Sequence, residues 1–85
     1  MYEVFLEKSA ENDLKRLPPS IFQRIIPQLR TLAYKPRPFG CRKISGSKND
    51  WRIRIGDYRI IYEIDEKTRF VKVMRVRHRR EVYRR

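Results

Sequence analysis

Asp50-Trp-Arg-Ile-Arg-Ile-Gly-Asp-Tyr-Arg-Ile-Ile-Tyr-Glu-Ile-Asp65 holds two alternating runs joined by a two-residue break. Trp51, Ile53 and Ile55 alternate with Arg52 and Arg54, so a strand here turns apolar side chains to one side and guanidinium groups to the other. Gly56-Asp57 supplies the residues of a tight hairpin turn, because Gly adopts positive φ without steric cost and Asp is a common turn former. On the return, Tyr58, Ile60, Tyr62 and Ile64 share one side and Arg59, Ile61 and Glu63 the other. The hairpin thus has one greasy face and one face bearing three arginines. Alternating charge is what any solvated sheet face shows. Arginine, however, offers more than solubility: its planar, permanently charged fork grips phosphate in two places.

Outward from the hairpin, the flanking segments supply the remaining elements. Tyr2 to Leu6 reads as a short strand. Ser9 is placed to cap a first helix carrying Ala10, Leu14 and Leu17, which Pro18-Pro19 ends. Ile21, Ile25, Leu29 and Leu32 form the stripe of a second helix, with Pro27 expected to bend it. Pro36 and Pro38 stiffen a connector. Gly40 to Ile44 reads as a short strand, and Phe70 to Arg77 as a last strand whose apolar parity switches between Val73 and Met74, which a bulge or burial on both faces would produce. Arg79 to Arg85 is expected to close as a helical turn. The order β-α-α-β-β-β-β gives an α+β domain spanning residues 1–85, a small antiparallel sheet with two helices on its apolar face.

Charge and composition then narrow the function. The 85 residues carry a net charge of +12, which attracts polyanions and makes binding depend on salt. Residues 1–34 hold five Lys/Arg against four Asp/Glu, and residues 35–85 hold seventeen against six. Almost all the excess lies on the strand-rich half. A single cysteine, Cys41, excludes an internal disulfide, and the N-terminus lacks the layout of a signal peptide, so a cytoplasmic location away from membranes is expected. The run Arg75-Val-Arg-His-Arg-Arg-Glu-Val-Tyr-Arg-Arg85 gathers the one histidine, His78, with Tyr83 and six arginines. Cations, an imidazole and a phenol, with no acidic cluster to hold a divalent metal, suit metal-free cleavage of RNA by its own 2′-hydroxyl. His78 is the candidate acid or base. No cofactor is expected.

The Trp51-Arg-Ile-Arg-Ile55 strand, the Gly56-Asp-Tyr-Arg-Ile-Ile-Tyr62 hairpin, Leu17-Pro18, Lys35-Pro-Arg-Pro38 and the closing His78-Arg-Arg-Glu-Val-Tyr-Arg84 resemble the RelE branch of the RelE/ParE toxin superfamily. The likeness covers essentially the whole chain. It implies a RelE-like fold and a toxin that enters the 30S ribosomal A site, cleaves mRNA there and is silenced by a RelB-like antitoxin in a hetero-oligomer. It further implies Arg59 and Arg77 on the scissile phosphate, Tyr83 stacking on or orienting the nucleotide, and Arg52 and Arg54 on phosphate and developing charge. Arg75, Arg79 and Arg80 would add to RNA binding. Two features depart from relatives: arginines replace lysines on the Trp51 strand, leaving His78 to share in proton transfer, and Phe39 to Asn49 contains no glutamate. The alternatives are a ParE-like inhibitor of DNA gyrase and a non-catalytic basic RNA- or ribosome-binding protein.

Overall fold

The hairpin forms about its Gly56-Asp57 reversal, with Gly56 at φ 58°. The structure, a computed structural model, describes residues 1–80. In chain order the elements are β1 (Glu3–Leu6), α1 (Lys8–Lys15), α2 (Pro19–Thr31), β2 (Arg42–Lys43), β3 (Asp50–Ile55), β4 (Tyr58–Asp65) and β5 (Phe70–His78). They make one five-stranded sheet in the order β1-β5-β4-β3-β2, which places β4 at its centre. The α+β class and the order of elements stand. The sheet is not wholly antiparallel, however, because β1 pairs with β5 in parallel, Glu3 opposite Phe70 and Leu6 opposite Val73. Parallel pairing needs a long crossover, and here the crossover is nearly the whole chain.

The apolar face packs as its alternation requires. Ile53, Ile60, Tyr62, Ile64, Val71, Val73 and Val76 are buried against Ala10 and Leu14 of α1 and Ile25 and Leu29 of α2. Each fully buried aliphatic side chain contributes about 1.5–3 kcal/mol. Pro27 lies within α2 without dividing it. The parity switch in β5 is a bulge: Ile61 pairs with Arg75 and Tyr62 with Val73, so Met74 is the extra residue.

Three sequence expectations are corrected. Ser9 does not cap α1, since Glu7 occupies the N-cap position and Ser9 lies inside the helix. Its hydroxyl instead donates to the Met74 carbonyl (2.7 Å). With Glu7 N–H on Val73 O (2.9 Å) and Val76 N–H on Asp13 Oδ2 (2.9 Å), it lets α1 continue the edge of β5 where β1 stops. Covering an edge in this way satisfies strand groups that would otherwise invite another chain. The strand expected from Gly40 shrinks to Arg42–Lys43, and β5 runs one residue further than expected, through His78. The turn expected over 79–85 lies outside the described residues apart from Arg79 and Arg80, which are helical.

Candidate nucleic-acid interface

Strand register assembles the polar face. Arg54 of β3 stands opposite Arg59 of β4, and Arg59 opposite Arg77 of β5, so three arginines cross the sheet in one row. In the neighbouring row, Arg42 of β2 is opposite Arg52, and Arg52 opposite Ile61. Like charges directly opposed on a sheet destabilise it, so fold stability does not explain this arrangement. Arg59, on the central strand, is only 5% exposed. Its Nε and Nη1, and Nε of Arg77, are buried atoms. Arg52 is half-buried, whereas Arg54 and Arg42 are exposed. Among the described residues, Arg42, Arg52 and Arg54 form no ion pair. At the far end of the face, Glu63 is neutralised by Lys72 across the strands (3.3 Å). The remainder is a shallow field of fixed positive charge of the kind that binds a phosphate chain.

Arg75 is held differently. Its Nε donates to Asp13 Oδ2 (2.9 Å) and its Nη2 to Oδ1 (3.1 Å), a two-pronged bond that draws the guanidinium toward α1. Burial of Asp13 opposes its ionisation, but the bonds from Arg75 and the Val76 N–H, with the charges of Arg75 and Arg77, outweigh it and hold the carboxyl below its usual range. Arg75 therefore anchors the edge of the site. Sequence reasoning missed Asp13, because an acid in a short helix gives no local sign of a partner 62 residues away.

His78 is the residue that the structure separates from the rest. Because β5 continues through it and it pairs with Tyr58, its side chain falls on the helix side, opposite to Arg77. There its ring meets Tyr58 edge to face at 5.1 Å. Its Nδ1 accepts the Arg80 N–H (3.2 Å), the bond by which a capping side chain holds the first turn of a helix. Arg79 N–H donates to Asp57 O (2.7 Å), and its guanidinium lies 3.9 Å from the Asp57 carboxylate. The chain leaving β5 is thus fixed at two successive amides. Tyr83 lies outside the described residues. If capping is what His78 does, His78→Ala should speed amide exchange at Arg80 about five-fold, for a cap loss of ~1 kcal/mol, while His78→Asn keeps the protection. Equal exchange in the two variants, read by NMR, would sink that role.

At the other end of the sheet a second cluster fixes the connector before β2. Tyr62 OH donates to Pro36 O (2.7 Å), Arg37 bonds Glu66 (2.6 Å), and its guanidinium lies 4.9 Å from the ring centre of Trp51. Trp51 is a partly buried anchor against the core, as its face predicts. Among the described residues no three His, Cys, Asp or Glu side chains come together.

Comparison with known proteins agrees with this architecture. The family model described as the ParE toxin of the type II toxin-antitoxin system parDE matches residues 4–83. The toxin RelG of Mycobacterium tuberculosis is 33% identical over 88 residues, covering 99% of this chain and 98% of that protein. The putative toxin RelE1 of Methanocaldococcus jannaschii is 29% identical over 85 residues, covering 96% and 94%. Among solved structures, the archaeal RelE-RelB complex from Pyrococcus horikoshii superposes with a TM-score of 0.81 at 30% identity, covering 92% of this chain and 94% of the matched one.

Proposed function

Because the chain belongs to the RelE/ParE superfamily of type II toxin-antitoxin toxins, on its RelE branch, we propose that it is a ribosome-dependent, metal-independent mRNA endonuclease. It acts in the cytoplasm, in the A site of the small ribosomal subunit, and cutting mRNA there inhibits translation. The observation that carries this reading is the row Arg54, Arg59 and Arg77 across three adjacent strands. Guanidinium groups set side by side across three strands suit the closely spaced anionic oxygens of a phosphodiester.

In the proposed reaction the 2′-oxygen attacks the adjacent phosphorus in line. A 2′-O–P bond forms, the P–O5′ bond breaks, the 2′-hydroxyl proton leaves to a base and the 5′-oxygen gains a proton. Arg59 and Arg77 hold the non-bridging oxygens and offset the charge that grows on them. Arg54 and Arg52 grip the same and the neighbouring phosphate. Tyr83 stacks on or orients the nucleotide, and Arg79 and Arg80 extend the contact to RNA. Arg75, tied to Asp13, contributes by bracing β5 beside the site. His78, on the other side of the sheet, positions the chain that leads to Tyr83 and exchanges no proton with substrate. A RelB-like antitoxin is the partner that silences the protein, as the structure named for a RelE-RelB complex suggests by analogy.

The test is direct. The purified protein is incubated with a defined mRNA, with and without translating ribosomes, and new 5′ ends are mapped by primer extension. Cuts that need ribosomes and fall within codons are expected. The family model's ParE description favours a second reading, inhibition of DNA gyrase. Growth arrest without any mRNA cut, together with loss of gyrase supercoiling activity, would select that reading.

A further inference from the structure

One aromatic side chain stands apart from both the core and the arginine face. Phe39 is fully exposed, and Tyr34 nearby in sequence is 73% exposed. Phe39 belongs to a tight turn closed by Cys41 N–H donating to Pro38 O (3.0 Å). Gly40 has φ +89°, as the third residue of a type II turn requires, which puts Phe39 at the second, outward corner. This corner does not sit on a loose loop. Pro36 and Pro38 limit the backbone, Tyr62 OH holds the Pro36 carbonyl, and Arg37 is fastened between Glu66 and Trp51. The ring is therefore held out in water on a rigid mount, forgoing the burial an aromatic ordinarily gains.

The setting of the ring is strongly basic. Residues 34–49 contain Lys35, Arg37, Arg42, Lys43 and Lys48 and no Asp or Glu. With Arg37 engaged by Glu66, the other four are exposed, and among the described residues none of them forms an ion pair. Register joins Arg42 of this patch to the arginine face, directly opposite Arg52, whereas Lys43 pairs with Trp51 and falls on the other face. An exposed aromatic flanked by cations is the minimal platform for a single-stranded nucleic acid: the ring takes a base and the cations take its phosphates.

We propose that Phe39 is a stacking platform for an unpaired RNA base, with Lys35 and Arg42 on the adjoining phosphates. It forms a second RNA contact continuous with the arginine face and separate from the reacting phosphate. The proposal rests on the RNA-cleavage reading of that face and extends it. Either the mRNA or an unpaired nucleotide of ribosomal RNA presents this chemistry.

Binding, not cleavage, tests it. The full-length protein is titrated with a short 2′-O-methyl RNA, which cannot be cut, and with ribosomes. Phe39→Ala should weaken both complexes by about 5- to 150-fold, the range for loss of one stacked base. Phe39→Trp should restore affinity and show emission quenched on binding, over the Trp51 background. Since the ring touches no core residue, melting temperature should not change in either variant. Benzoylphenylalanine placed at position 39 and irradiated on translating ribosomes should crosslink to RNA, and sequencing the adduct tells mRNA from ribosomal RNA. Unchanged affinity in Phe39→Ala, no recovery in Phe39→Trp, or crosslinks to protein alone would overturn the proposal. Phe39-dependent binding without any mRNA cleavage would instead count against the nuclease reading and leave the platform standing.

Discussion

Arg59→Ala should lower ribosome-dependent mRNA cleavage by about 10²- to 10³-fold, the usual effect of removing one donor aimed at developing charge. Arg59 is the central member of the arginine row and its most buried one. A buried guanidinium works in a medium of lower dielectric, where its field at a nearby phosphate is less screened than that of an exposed lysine. Arg59→Lys should recover little, since an ammonium cannot reproduce a two-pronged grip. The fold should survive. Removing the central charge relieves two like-charge oppositions worth ~0.2–1 kcal/mol each, which offsets part of the packing lost with the side-chain stem. Cleavage is read by primer extension and folding by thermal melting. A variant that melts normally and cuts at the wild-type rate would remove the arginine row from the mechanism.

Asp13→Ala is expected to have the largest effect on stability. Asp13 accepts both prongs of Arg75 and also the Val76 N–H. Its loss leaves a strand N–H without its acceptor and a guanidinium without its counter-charge. Because the Arg75 side chain is 40% exposed, water recovers part of the cost, and about 2 kcal/mol is expected. In a domain of this size that lowers the melting temperature by about 10 °C. Asp13→Asn keeps an oxygen for Val76 and should cost about half as much. The carboxyl of Asp13 is held below its ordinary range in the folded state. Its ionised form therefore stabilises the fold above the unfolded carboxyl value, roughly pH 4, and that contribution is lost as pH falls through the lower folded value. The gap in stability between wild type and Asp13→Asn should be constant from pH 7 to about pH 5 and close below about pH 4. Urea melts across that range measure it; a gap that does not begin to shrink as pH falls below about 4 would mean that charge plays no part.

Short-range features were legible in the sequence. The central hairpin, its Gly56-Asp57 turn, the separation of Ile53 and Ile60 from Arg54 and Arg59, and both helical stripes follow from periods of 2 and 3.6 and from turn chemistry, each contained within a dozen residues. The parity change from Val73 to Met74 was visible as well, and the register with β4 decided that it is a bulge and not burial on both faces. The charge imbalance between the two parts of the chain pointed to a polyanion before any fold was known.

What tertiary structure decided are the contacts between distant residues. Pairing of Glu3 with Phe70 makes β1 parallel to β5, and the alternation of a four-residue edge strand reads the same in either direction. Ser9 and Asp13, both within α1, serve as edge partners of β5 because β1 ends before β5 does. Continuation of β5 by one residue put His78 on the side opposite Arg77, where its ring meets Tyr58 and its Nδ1 accepts the Arg80 N–H. Arg59 alternates like any solvated arginine, yet the central place of β4 buries it. Sequence determined which face is charged, because a side chain's direction along a strand is local. Which charges are buried, tied down or left open was settled only when strands far apart in the chain came into register.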